Sequence, residues 1–136
     1  MRGFRFVRRQ EVVFRDLDSH GHVNNAVYST YLETARLAYL KEVCDVDPAD
    51  ELGIVVAELA LTFRSAASLG EILEVGVRVP RVGAKSLVFE YELSGPEGRL
   101  VASARTTHVA FDDAQARSVA VPAAWRRRIE RHEAEG

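Results

Sequence analysis

From Asn24 to about Cys44 the chain contains neither Gly nor Pro, and Tyr28, Tyr31, Leu32, Ala35, Ala38 and Tyr39 recur at helical spacing. The segment reads as one long helix, with Asn24 or Asn25 as its N-cap. Ser29, Thr30, Glu33, Thr34, Arg36, Lys41 and Glu42 are polar exceptions on a surface that is apolar around much of its circumference. A helix buried that widely needs a curved sheet wrapped around it rather than a flat one beneath it.

The strands for such a sheet are present. Phe4 to Arg15 is the first candidate, and Ile54 to Phe63 is a near-continuous apolar run. Leu73, Val75, Val77 and Val79 alternate with Glu74, Gly76 and Arg78, and Leu87, Phe89, Tyr91 and Leu93 alternate with Val88, Glu90 and Glu92. A last strand, Leu100 to Phe111, follows a Gly95-Pro96-Glu97-Gly98 hairpin turn. Asp45 to Leu52, with Pro48, reads as a loop, and about 122–133 as a short basic helix opening on Pro122. With no repeat or linker, residues 1–136 form one α+β domain, a long helix against about five mostly antiparallel strands.

Composition narrows the function. Eighteen basic against twenty acidic residues give a net charge of −2, which excludes general nucleic-acid binding. No apolar run has the length of a membrane span. The opening Met-Arg-Gly-Phe-Arg-Phe-Val lacks a signal-peptide core, and the single cysteine, Cys44, has no intrachain partner. A cytoplasmic setting is expected.

The chemistry concentrates in Asp16-Leu17-Asp18-Ser19-His20-Gly21-His22-Val23-Asn24-Asn25-Ala26-Val27-Tyr28. A carboxylate there can face a reacting atom while the first N–H groups of the helix stay free to bind developing negative charge. Acyl transfer needs that juxtaposition. Capping alone explains Asn24 or Asn25, but Asp18 lies too far ahead of the helix to cap it. Gly21 allows a tight backbone path between loop and helix. His20 and His22, with nearby acids, lack the further spaced ligands of a metal site, so no metal is expected. His108, alternating within a strand, is expected at the edge of the core.

The stretch from Phe14 to Tyr28 resembles the opening motif of the hotdog-fold thioesterases of the 4-hydroxybenzoyl-CoA thioesterase-like family. The resemblance continues through Tyr31-Leu32-Glu33-Thr34-Ala35-Arg36, then Phe63-Arg64-Ser65-Ala66-Ala67-Ser68-Leu69-Gly70-Glu71, then Arg81-Val82-Gly83-Ala84-Lys85-Ser86-Leu87. It covers roughly Phe6 to Phe111, in the expected order. It implies a hotdog fold, a five-stranded antiparallel sheet around a central helix, with active sites between paired subunits.

Carried over by position, Asp18 matches the family's catalytic carboxylate, as nucleophile or as general base. Asn25 falls where the family places the helix-terminal N–H that polarises the thioester carbonyl. Asp16, Gly21, His22 and Asn24 support the loop. Glu33 is the alternative acid, because a related branch draws its carboxylate from the helix. It lies about two turns beyond the helix start and pairs at i+3 with Arg36. Glu58, interrupting an apolar strand, is a third carboxylate that either approaches a neighbouring subunit's site or is solvated. Arg64, Arg81, Gly83, Lys85 and Ser86 are the candidate grip for CoA phosphates, or ordinary exposed hairpin residues. CoA is part of the substrate, and no cofactor is implied.

Three readings follow: an acyl-CoA thioesterase, an acyl-carrier-protein thioesterase docked through Arg126-Arg127-Arg128, or a non-catalytic acyl-CoA-binding domain. The dehydratase phrase Asp-x-Asn-x-x-His is absent. Unpaired strand edges and incomplete cover of the helix lead to an expected homodimer or dimer of dimers, with strand residues of one subunit completing the Asp18 site of the other.

Overall fold

In the computed structural model, which describes residues 1, 3–47 and 52–134, the first strand is shorter than its apolar run suggests. β1 spans Phe6–Glu11, and the chain then turns through a 3-10 helix at Phe14–Asp16. The cause is local. The Asp16 carboxylate accepts the Val13 N–H at 3.1 Å, and the Val13 carbonyl accepts the Asp16 N–H at 2.9 Å. An acid placed there offers the backbone a turn in place of a sheet ladder.

The long helix, α1, spans Val27–Cys44 and starts three residues later than the Asn24 of the sequence reading. The cap residue is Ala26, with no side-chain capping bond, rather than Asn24 or Asn25; Asn24 forms the turn ahead of it, its side-chain oxygen accepting the Ala26 N–H and its carbonyl the Val27 N–H, both at 2.9 Å. Tyr28, Tyr31, Leu32, Ala35, Arg36, Tyr39, Leu40 and Cys44 are buried. Thr30, Glu33, Thr34, Leu37 and Lys41 are exposed. The helix is therefore buried on one side, a narrower contact than its apolar content implies.

The remaining elements are β2 (Leu52–Phe63), β3 (Ile72–Val82), β4 (Ser86–Ser94), β5 (Leu100–Asp112), β6 (Arg117–Ser118) and α2 (Ala123–Ala134). The two-residue β6 is too short to leave a pattern in the sequence. Of the predicted Asp45–Leu52 loop, residues 48–51 lie outside the described residues, and Leu52 already belongs to β2. All pairings are antiparallel, in the order β1-β3-β4-β5-β2, with β6 on β5. α1 lies against β1 and β3, and α2 closes one end of the core with Trp125 and Ile129. Arg128 of α2 donates to the Cys44 carbonyl at 2.7 Å, where a helix end otherwise leaves an orphan acceptor. No helix among the described residues is long and apolar enough to cross a membrane.

Two features of this topology position everything that follows. First, the register sorts the loops into two ends. The end of β1, the start of β3, the end of β4, the start of β5 and the end of β2 share one end; the β3–β4 turn and the start of β2 share the other. Second, β2 overhangs the helix. Leu59 and Phe63 pair with Thr106 and Ala102, which face the core, yet they are 45% and 46% exposed; Val56, paired with buried His108, is 54% exposed.

His108 lies in the core, with 1% exposure, and not at its edge. Its Nε2 is 2.8 Å from Thr106 Oγ1 and its Nδ1 has no partner. Burial, reinforced by the Arg36 charge, lowers its pKa to about 3 from an ordinary 6.5. An unfolded chain takes up this proton below about pH 6.5 while the native chain does not, so stability falls as pH drops toward 3. Thermal melts across that window should show a shallower acid decline for His108→Gln than for the parent protein.

Candidate active site

Asp18 stands in a tight hairpin between β1 and α1. Leu17 pairs with Val23, the Asp18 N–H donates to the His22 carbonyl at 2.8 Å, and the Gly21 N–H donates to the Asp18 carbonyl at 3.1 Å. Gly21 closes the turn at φ +79°, a conformation that side chains disfavour. Asp18 Oδ1 accepts the His20 N–H at 2.8 Å and the His22 N–H at 3.3 Å, while Oδ2 makes no hydrogen bond among the described residues. The His20 N–H, then that of His22 with the fields of both imidazoles, outweighs desolvation and holds the carboxyl below its usual range. The loop thus presents an ionised carboxylate with one oxygen available.

The return strand of this hairpin runs straight into the helix. The Asn24 N–H donates to the Asp16 carbonyl at 2.8 Å, Ala26 and Val27 are satisfied by Asn24, and the exposed Asn25 N–H has no acceptor among the described residues. It is a free donor at the positive end of the α1 dipole. Asp16 is the anchor: its Oδ2 also accepts the Tyr31 hydroxyl at 2.7 Å, tying the loop to the first turns of α1. The His22 side chain is exposed, and its backbone bridges Ser68.

The loop after β2 braces the hairpin. The Val23 N–H donates to Ala67, the Val12 N–H to Glu71 and the Gly70 N–H to Val12, at 3.0, 3.0 and 3.1 Å. Glu71 in turn accepts the Ser68 N–H at 2.7 Å and the Arg99 guanidinium at 3.0 Å on both oxygens. Sequence reasoning missed this clamp, because no local pattern connects Glu71 to a β4–β5 turn residue.

The other candidates separate. Arg64, exposed at the end of β2, shares the Asp18 end of the sheet. Arg81, Gly83, Lys85 and Ser86 sit at the opposite end, around the β3–β4 turn. That turn is closed by the Gly83 N–H on the Ser86 carbonyl at 2.7 Å, and Arg126 donates to the Val82 and Gly83 carbonyls at 3.1 and 2.7 Å. Within one chain the residues proposed to grip phosphate are therefore not one cluster. Glu33 is exposed, 3.9 Å from Arg36. Glu58 follows a register shift and pairs with Thr107, beside core-facing Thr106, so it stands exposed on the outer face of the sheet. No three His, Cys, Asp or Glu side chains converge among the described residues.

A carboxylate and a free helix-terminal N–H, framed by a curled antiparallel sheet, are the equipment of a thioester hydrolase. A family model of the thioesterase-like superfamily matches residues 12–129, and the chain belongs to that superfamily. It is 32% identical over 115 residues to the acyl-CoA thioesterase YbgC of Haemophilus influenzae, covering 82% of each chain. It is 29% identical over 117 residues to the long-chain acyl-CoA thioesterase FadM of Escherichia coli, covering 84% of this chain and 89% of that one. A Thermus thermophilus thioesterase, solved with coenzyme A and zinc, superposes with a TM-score of 0.87 at 33% identity over 98% of both chains. The fold is the hotdog of these enzymes.

Gly21→Ala should destabilise the protein by about 1 kcal/mol through its left-handed backbone. The strain falls on the turn that aims the Asp18 carboxylate. Hydrogen exchange is expected to show faster exchange confined to residues 18–24, with the sheet amides unchanged.

Proposed function

We propose that the protein hydrolyses acyl-CoA thioesters to a free acid and CoA. The observation that carries this reading is the ionised Asp18 carboxylate, with one oxygen free, on the hairpin that leads into the unpaired Asn25 N–H. With the thioester carbonyl on the Asn25 N–H, the helix dipole stabilises the oxyanion that forms as the carbonyl is attacked. Asp18 either attacks the carbonyl carbon or takes a proton from an attacking water. In the first route the thiolate of CoA leaves an anhydride on Asp18 that a water then hydrolyses; in the second the water adds directly and the thiolate leaves, and both end in the free acid. Asp16 and Gly21 hold the loop in position. The YbgC and FadM relatives, both acyl-CoA thioesterases, support the substrate class.

The carrier-protein reading is weaker. Of the three arginines offered as its docking site, Arg126 and Arg128 are spent on carbonyls of the chain itself, which leaves Arg127. A pure binding domain has no need of a carboxylate kept ionised at this place.

Asp18→Asn keeps the shape of the side chain, so folding should survive while turnover of acyl-CoAs falls by on the order of a hundredfold or more. Near-normal turnover in the folded variant would move the role to Glu33. Because Asp18 titrates below the usual carboxylate range, lowering the pH toward 5 should not remove activity through this group; loss is expected only as pH falls through its depressed pKa. We also propose that hydrolysis needs no metal or cofactor, so prolonged treatment with a chelator should leave the rate unchanged.

A second copy of the chain completes the site in this proposal. One side of β2 pairs with β5; the other has no strand partner among the described residues, and Val56, Leu59 and Phe63 of this strand are exposed. A long apolar edge of this kind favours pairing with another strand. Antiparallel pairing of β2 with its copy continues the sheet and covers the strip. It also carries Arg81, Gly83, Lys85 and Ser86 of one subunit toward the Asp18 and Arg64 end of the other, where they reach CoA phosphates. Light scattering should give a dimer or a dimer of dimers at working concentration; a fully active monomer would defeat the arrangement.

A further inference from the structure

A small cavity of about 90 Å³ lies between α1 and the overhanging β2, lined by Ser29, Leu32, Glu33 and Arg36 of the helix and by Val56, Leu59 and Thr106 of the sheet. Its volume is well above the ~10–15 Å³ that a single water requires. The four helix residues fall at i, i+3, i+4 and i+7, so the groove starts at the first turn of α1, just past Asn25, and runs down one face of the helix. Arg36 is roughly 16 Å along the axis from Asn25 at ~1.5 Å per residue, and its side chain leans back toward the helix start. An acyl chain whose carbonyl rests on the Asn25 N–H would enter this groove.

The far wall of the groove is not apolar. Arg36 is 7% exposed, a buried guanidinium that among the described residues donates to the Tyr91 hydroxyl at 3.1 Å; its carboxylate neighbour, Glu33, stands 3.9 Å away and is open to solvent. The Tyr91 hydroxyl and Thr106 Oγ1 are 2.6 Å apart, and either can be the donor. His108 Nε2 also reaches Thr106 Oγ1, at 2.8 Å, and Nδ1 has no partner. A bare acceptor at Nδ1 leaves less unsatisfied than a buried N–H with nothing to receive it. The tautomer with the proton on Nε2 follows, and it donates to Thr106. Arg36 and His108 each donate into the Tyr91–Thr106 pair, so one of its two hydroxyl protons is left over, and Thr106 lines the cavity. Arg36 thus presents on the wall guanidinium N–H groups beyond the one given to Tyr91, and a hydrocarbon tip offers them no acceptor.

We propose that this cavity selects acyl groups whose far end carries a hydrogen-bond-accepting oxygen, held by Arg36 beside Thr106, in preference to plain alkyl chains of the same length. The inference rests on the acyl-CoA hydrolase reading above and names its substrate class. Two sources supply that oxygen: the free carboxylate of a dicarboxylic acid half-thioester, or a ketone near the chain terminus. The positive charge of Arg36 serves both, and Glu33 is exposed enough to swing aside for an anion.

The test is a competition among medium-length straight-chain, ω-carboxyacyl and terminal-ketone acyl-CoAs, read as the ratio of kcat/KM values within each protein. The parent protein should favour one or both oxygen-bearing series over the alkyl series by on the order of tenfold or more. Arg36→Met, a replacement of a buried charge that cores tolerate, should abolish or reverse the ratio. Thr106→Val, which keeps the shape and removes the hydroxyl, should lower it even if the arginine variant does not fold. A preference confined to the carboxylate series assigns the pocket to anions, and one shared by the ketones assigns it to acceptors in general. Alkyl preference in the parent, or ratios unchanged in Thr106→Val and in a folded Arg36→Met, overturns the proposal. Binding of non-hydrolysable thioether analogues, measured by calorimetry, separates it from the hydrolase reading. Absent hydrolysis with the same binding preference sinks the hydrolase and keeps the pocket; hydrolysis with no binding preference does the reverse.

Discussion

Asp16 makes the hydrogen bonds on which the geometry of the site depends. Its carboxylate accepts the Val13 N–H and the Tyr31 hydroxyl, and its carbonyl accepts the Asn24 N–H. The first of these ends β1, the second fixes the loop to the buried face of α1, and the third sets where the helix begins. A half-buried acid with two donors on one oxygen is stabilised by charge-assisted bonds, stronger than neutral ones. Without it, the hairpin that carries Asp18 would be joined to the fold mainly through the residues that follow β2. Two carboxylates separated by a single leucine therefore have opposite fates. One is consumed by the scaffold, and the other keeps an oxygen free.

The strand order imposes a second constraint. With β2 at one edge and β1 at the other, loops from five strands gather at the Asp18 end while the basic β3–β4 turn lies at the far end. The sheet separates the Asp18 hairpin from Arg81 and Lys85. A single chain cannot bring them together without unravelling the ladder; the proposed two-fold pairing along β2 would do so with no change in either chain.

Much of this was legible in the sequence, and the reasons are physical. The strand alternations from Leu73 onward gave β3, β4 and β5 to within a few residues, because a half-buried antiparallel strand writes its pleat into the chain. The loop chemistry stood out because Asp18, Gly21 and Asn25 do nothing for a core. Other parts were hidden. The early end of β1 depended on one acid turning the backbone, against a run of Val and Phe that argued for more strand. Arg36 reads in the sequence as a polar exception paired at i+3 with Glu33, although its spacing from Leu32 and Tyr39 places it on the inward face. The burial of His108 depended on a strand far away in the chain, and so did the bracing of the hairpin by Glu71 and Arg99. Contacts of that separation leave no mark on local pattern.

The pairing order also governs what the chain meets as it leaves the ribosome. β2 is made soon after α1, yet among the described residues it pairs with β5 alone, which ends at Asp112, and the carbonyl at the foot of α1 waits for Arg128. For most of its synthesis the chain carries an apolar strand with both edges open, a state prone to wrong association. Sequence-distant closure of this kind is also slow, since loop entropy is lost before contacts are gained. Production in a host would accordingly respond more to the speed of translation and to holding chaperones than to changes that tighten the finished core.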